Sequence, residues 1–230
     1  MTFKDDIEAY QQCNPDHRWI FNKLEVAKRL GHDANPISVP IPYDGFWCIR
    51  PIINLEGMGA HAYIERYHEG QIVIDHPSHF WHQYFTGSHV SVDFHKGDVV
   101  NACYGIREFD SPSKQTNLWK WTAWKKVDPD EYEEYCITED FLNRFTRTFS
   151  EILKTYDYIN VEIIGGNIVE IHLRPDPHLE LWEDHTTLIP EWTDVTYDRV
   201  KMVSNGFEFV ESYDDAGGYL LTSRTGFWIK

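Results

Sequence analysis

Four residues with the types and spacing to form a reaction centre, Glu162, Glu170, His172 and Arg174, lie within residues 158–175. There two β-branched runs flank Gly165-Gly166-Asn167, the pattern of a β-hairpin. A three-residue loop with a glycine at a positive-φ position is a common hairpin connection. It pairs Ile164 with Ile168, Glu162 with Glu170 and Asn160 with His172. Paired residues share a sheet face with Cβ atoms roughly 4.5–5.5 Å apart. The side-chain period of two places Glu170, His172 and Arg174 together on that face. Opposed carboxylates repel unless a cation stands between them, and a hard divalent ion such as Mg²⁺, held by one or two carboxylates and completed by substrate phosphates, removes the repulsion. A two-residue loop, Gly165-Gly166, sets Glu162 opposite Val169 instead, and a solvated hairpin edge carries the same charges with no ion.

The elements that must position these groups have to come from a chain of 230 residues, enough for one domain or two small lobes. With 42% hydrophobic and 15% aromatic residues the chain can build an ample core. A formal charge of −16 argues against a nucleic-acid backbone or an anionic membrane surface as partner. It leaves room for a nucleotide, whose phosphates need only a few local cations. Cys13, Cys48, Cys103 and Cys136 are widely spaced, which fits reduced, mostly buried thiols better than a zinc or disulfide framework. The first residues have no apolar leader and no run approaches the roughly 18 apolar residues of a span, so a cytosolic protein is expected.

Taken in order, residues 1–16 read as a polar arm with at most a short helix. Residues 16–31 have helical spacing at Ile20, Leu24, Ala27 and Leu30, closed by Gly31. Residues 45–53 read as a strand with Arg50 at its centre, and residues 54–59 as a glycine-bearing loop. Strand signals follow over residues 70–75, then a hairpin over 88–105 turning at Lys96-Gly97. Residues 106–136 are tryptophan-rich and ambiguous. Thr138 caps a helix reaching Leu153, with Phe141, Phe145, Phe149 and Ile152 on one stripe. The C-terminal part carries a further hairpin over 207–210 and 219–223.

Together these pieces resemble the ATP-grasp fold, the two-lobed nucleotide clamp of carboxylate–amine and carboxylate–thiol ligases. The resemblance rests on Asn22-Lys23, Ile49-Arg50-Pro51, Gly57-Met58-Gly59, Gln83-Tyr84-Phe85, Gly87-Ser88-His89-Val90-Ser91-Val92-Asp93, and Glu162 with Glu170-Ile171-His172-Leu173-Arg174. Each match is short; their shared order over about 150 residues carries the likeness, which covers roughly residues 17–176.

The resemblance implies an α+β protein whose antiparallel sheets and packed helices clamp a nucleotide: an N-terminal arm (1–16), a first lobe (17–81), a hinge and second lobe with the metal hairpin (82–176), and a β-rich extension (177–230). It implies ATP and Mg²⁺ as cofactors. Lys23 and Arg50 would contact the phosphates, with arginine standing where the family usually has lysine. Gly57 and Gly59 would form the phosphate-covering loop, and Gln83, Tyr84 and Phe85 the adenine hinge. His89 stands where a glutamate holds ribose. Glu162, Glu170 and His172 would hold metal; histidine in place of asparagine favours softer ions and points towards Mn²⁺. Arg174 would steady the acylphosphate and the tetrahedral centre formed from it. The expected reaction activates a carboxylate as an acylphosphate for attack by an amine or another nucleophile. The family's usual N-terminal domain has no counterpart in the match, so the acceptor would be held by the extension and tryptophan-rich insert or supplied by a partner protein. Two other readings follow from the same residues. One is a catalytically degenerate nucleotide or partner binder, pointed to by Arg50, His89 and His172. The other is a histidine-rich metal module built from His76, His79, His82, His89 and His95, although i, i+3, i+6 spacing does not give one strand face.

Overall fold

The computed structural model of the chain describes residues 2–55, 57, 59–107, 118, 120–220 and 222–230. Two antiparallel sheets flank the candidate site. Helix α1 (Asp6–Gln12), a 3-10 turn (Pro15–Phe21) and helix α2 (Lys23–Arg29) precede strands β1 (Ala34–Pro36), β2 (Gly45–Pro51), β3 (Tyr63–Tyr67) and β4 (His79–Gln83), which form a four-stranded sheet in the order β1-β4-β2-β3. Strands β5 (His89–His95), β6 (Asp98–Ile106) and β7 (Ala123–Lys126) follow. A second 3-10 turn (Pro129–Tyr135), α3 (Glu139–Thr148) and α4 (Ser150–Thr155) then lead to the hairpin β8 (Tyr158–Ile164) and β9 (Asn167–His172). Beyond it come α5 (Leu181–Asp184), β10 (Thr187–Trp192), α6 (Arg199–Ser204), β11 (Glu208–Asp214) and β12 (Arg224–Ile229). The second sheet has eight strands in the order β11-β12-β10-β7-β6-β5-β8-β9, so the C-terminal strands extend it beside β7.

Alternation along the strands decides what faces the cleft between the sheets. On β2 and β4, Trp47, Ile49 and Trp81 enter a core with Ile37, Ile41 and Val73. Register sets Cys48 opposite His82 and Arg50 opposite Phe80, so these four share the opposite face. In the second sheet Val90, Val92, Phe94, Ile159, Val161 and Ile163 pack against the Phe141–Phe145–Phe149–Ile152 stripe of α3 and α4. The other face is polar: Ser91 opposes Glu162 and Cys103, while Asp93 opposes Asn160 and Asn101.

Several elements differ from the sequence expectation for local reasons. The helix expected over 16–31 divides at Asn22, whose side chain accepts from Glu25 N and starts α2 anew. The polar arm does contain the short helix allowed for it, α1, capped by Asp5. Residues 70–75 form no strand: Gly70 turns at φ +80, Val73 alone enters the core, and Ile74 is 96% exposed. The strands that pair with β2 are β3, before this stretch, and β4, after it. The helix beginning at Thr138 breaks at Phe149, between α3 and α4. Residues 108–117 and 119 of the tryptophan-rich stretch, and Glu56 and Met58 of the glycine loop, lie outside the described residues. In the C-terminal hairpin the second strand begins at Arg224, after a turn through Gly217 and Gly218. All four cysteines are free, three of them buried. Among the described residues no helix is long and apolar enough to cross a membrane.

Candidate functional site

The β8–β9 hairpin turns through two residues, not three. Gly165 and Gly166 both take positive φ, +53 and +82, as the tightest hairpin connection requires. Ile164 pairs with Asn167 and Ile163 with Ile168. Val169 then drops out of the ladder in a β-bulge, and pairing resumes at Glu162–Glu170 and Asn160–His172. The bulge thus restores the carboxylate pair that a three-residue loop would also have given.

Around that pair both lobes converge. Lys23, the first residue of α2, donates to Glu170 Oε1 at 2.7 Å, and Arg50 from the centre of β2 pairs with the same oxygen. His172 Nε2 stands 3.4 Å from Glu170 Oε2 and 3.7 Å from Glu162 Oε1. His89 Nε2 lies 3.1 Å from Glu162 Oε2. Behind His172, Asp6 of α1 sits 3.0 Å from Nδ1 and accepts from Arg174 at 2.8 Å. Asp6 is 4% exposed.

The electrostatics follow from this packing. Burial would raise the Glu162 carboxyl, but hydrogen bonds from His172 and His89 outweigh it and hold the group well below the usual carboxylate range. Asp6 shows the same contest, burial against His172 and Arg174, and is also held low. Burial works against the His172 imidazolium, yet the Asp6 charge prevails and raises its pKa. Burial, then the Arg50 charge, pushes the Lys23 ammonium well down.

One donor atom each from Glu162, Glu170 and His172 lies within 4.8 Å of the others, the one such metal-competent group among the described residues. Two carboxylates could hold a hard divalent ion such as Mg²⁺, and the imidazole beside them favours a softer one such as Mn²⁺. The histidines at 76, 79, 82 and 95 do not enter that group.

The remaining sequence candidates are distributed as follows. Phe85 is buried and lines a small cleft with Lys23, Arg50, His82, Ile168 and Val169, between the first sheet and the hairpin. Gln83 ties the end of β4 to Asp33, donating to its carbonyl at 2.9 Å and accepting from its N–H at 3.1 Å. Tyr84 packs against Phe46 with ring centroids 6.4 Å apart. Gly57 and Gly59 lie in turns after β2 with φ +75 and +61. His89 is packed edge-on against Trp121 at 4.7 Å and Trp124 at 5.8 Å, its Nε2 turned to Glu162. Gly105 opposite His89 leaves room for Trp121, since a Cβ there would come within 2.5 Å of the indole. Arg174 is buried against Asp6. Sequence reasoning missed Asp6, which stands outside every motif, and read His82 only as one of a set of metal histidines; its place beside Arg50 and Phe85 shows itself once the β2–β4 register is known.

No protein-family model matches the chain, and no curated protein matches it by sequence. Solved structures do. An L-amino acid ligase from Bacillus licheniformis superposes with TM-score 0.54 at 10% identity, covering 98% of this chain and 71% of its own. An ATP-grasp superfamily protein from Archaeoglobus fulgidus gives TM-score 0.49 at 12% identity over 78% of this chain and 59% of its own. The ATP-grasp ligase PsnB, solved with a minimal precursor, gives 0.41 at 12% identity over 70% and 54%. The chain therefore spans less than two thirds of the length of two of these three proteins. It has the ATP-grasp fold: an α+β architecture of two antiparallel sheets with packed helices.

Proposed function

We propose that the protein is an ATP-dependent ligase of the carboxylate–amine type. The observation that carries this reading is the convergence of Lys23 and Arg50 from one lobe on Glu170 of the other, beside Glu162 and His172. Two buried cations facing a carboxylate pair form the charge pattern that a metal–triphosphate complex would complement. Lys23 and Arg50 would exchange Glu170 for phosphate oxygens, freeing both carboxylates and His172 Nε2 to hold a divalent ion. That ion, Mg²⁺ or Mn²⁺, would neutralise phosphate charge. Phe85, Ile168 and Val169 would supply apolar walls for the base.

On this reading the γ-phosphoryl group passes from ATP to a substrate carboxylate oxygen, ADP leaves, and an amine nitrogen attacks the acyl carbon. Inorganic phosphate departs with the bonding electrons and the nitrogen loses a proton. The chain's own residues position reactants and neutralise charge, so no side chain is assigned as general base. Arg174, held by Asp6, would present positive charge near the acyl phosphate. The neighbour named as an L-amino acid ligase supports the reading through its shared fold.

Thermal unfolding tests it. Ligand at about 100 times its Kd adds about 2.7 kcal/mol, a rise of roughly 5–10 °C for a chain of this size. A rise that needs both metal and ATP and is lost in Glu170→Gln is expected, with ADP release on adding the right carboxylate and amine. No rise with any nucleotide, or one from metal alone that survives Glu170→Gln, overturns the reading.

A further inference from the structure

We infer that His82 is the specificity residue of the nucleotide cleft, accepting a hydrogen bond from the exocyclic amine of a 6-aminopurine. The inference rests on the ATP-binding reading above and goes beyond it by assigning the base contact.

His82 lies on β4, 6% exposed, on the sheet face it shares with Arg50 and Phe80. Its ring is fixed between Phe80 and Phe85, at centroid distances of 5.6 and 5.8 Å. Nδ1 stands 2.7 Å from the Gln83 carbonyl oxygen. A carbonyl only accepts, so Nδ1 carries the hydrogen and Nε2 is left as a bare lone pair. Burial, then the Arg50 charge, pushes the imidazole down to about 3, which keeps it neutral at physiological pH. Nε2 is buried and has no hydrogen-bond partner.

A buried acceptor without a donor is costly, and such groups in native proteins usually have a partner. Here the side chain lines a cleft whose other walls are apolar, with Phe80, Phe85, Ile168 and Val169 among them, apart from His32 and the two cations. That wall composition suits a planar base joined to an anion. The missing partner is an N–H donor: the 6-amino group of adenine supplies one, whereas the 6-oxo group of guanine or hypoxanthine presents a second acceptor and repels the lone pair.

The test compares the Mg²⁺ complexes of ATP, purine riboside triphosphate (which lacks only the amine) and GTP. Each is titrated calorimetrically into the full chain, into His82→Ala, and into His82→Phe, which keeps a ring between Phe80 and Phe85. The native chain is expected to bind ATP roughly tenfold more tightly than the purine analogue, the size of one well-placed buried hydrogen bond. In either variant the two affinities are expected to fall within about twofold of each other. Equal binding of ATP and the analogue by the native chain, or a preference that persists in a folded variant, would overturn the assignment while leaving the nucleotide site standing. Failure of all three nucleotides to bind the native chain would overturn the ligase reading and this inference with it.

Discussion

Asp6 and His172 meet with Oδ2 3.0 Å from Nδ1, although 166 residues separate them in the chain. The same carboxylate holds Arg174, so one acidic side chain on α1 fixes two basic ones at the end of β9. An ionised carboxylate only accepts, so Nδ1 carries its hydrogen towards Asp6 and Nε2 is directed at Glu162 and Glu170. Asp6→Ala leaves both basic groups buried without their acceptor. It is expected to cost about 3–5 kcal/mol in urea denaturation at neutral pH, with Asp6→Asn losing less. If the dyad orients a metal ligand, folded Asp6→Asn also loses about tenfold in Mn²⁺ affinity, read by the EPR signal of the free ion. Unchanged stability in Asp6→Ala would mean that α1 does not hold the hairpin.

Glu170 is the hinge of the charge network, since Lys23 and Arg50 both depend on it. Glu170→Gln is therefore expected to destabilise the chain by about 3 kcal/mol. Lys23→Met should cost less, because Arg50 still satisfies the carboxylate. Combining the two changes should show a coupling of about 1 kcal/mol or more in a double-mutant cycle. Additive effects would place Lys23 and Glu170 in separate environments.

Asp93 gives a pH signature of its own. It is fully buried and accepts from Asn101, Asn160 and the Asp176 backbone; burial, then the Asp176 charge, raises its carboxyl to about 6. A raised carboxyl binds its proton more tightly in the folded state, so its stabilising contribution is complete below about pH 4 and disappears as pH rises through 6. Asp6 and Glu162, both held low, carry the opposite sign: their contribution is present above the ordinary carboxylate range and disappears as pH falls below it. Denaturant titrations should show native stability falling by on the order of 3 kcal/mol between pH 4 and pH 7 relative to Asp93→Asn. A difference that is flat across that window would assign Asp93 an ordinary pKa.

The sequence made some of this legible and hid the rest for definable reasons. Period-two alternation exposed Glu162, Glu170 and His172 because a hairpin is local, and the wrong loop length did no harm because the Val169 bulge compensated for it. Asn22-Lys23 marked a helix start correctly, since Asn22 caps through its own side chain. Asp6 was hidden because its partners lie at the far end of the chain. Residues 70–75 misled because β-branched residues raise strand propensity wherever they fall, while Ile74 has nothing to pack against. His82 read as one histidine among many until the β2–β4 register turned it towards Arg50 and Phe85.

The link between β4 and β5 and the hairpin turn touch backbone to backbone, and that contact supplies a last prediction. A Cβ on Gly165 would meet the Thr86 carbonyl oxygen at 2.0 Å, and one on Gly87 would meet Gly165 Cα at 2.8 Å. Gly165 N also donates to the Ser88 carbonyl at 3.1 Å. Gly165→Ala thus faces both the positive-φ cost, about 1–2 kcal/mol, and a collision with main chain that no rotamer relieves. Gly166→Ala has the φ cost alone, since its Cβ meets only the Cys136 side chain, at 3.5 Å. Gly165→Ala should therefore lose at least about 1 kcal/mol more than Gly166→Ala in denaturant unfolding. If the contact also keeps Phe85 against Ile168 and Val169, Gly165→Ala should weaken MgATP binding while Gly166→Ala retains it. Equal losses in the two variants would show that the approach of Thr86 to Gly165 relaxes without cost.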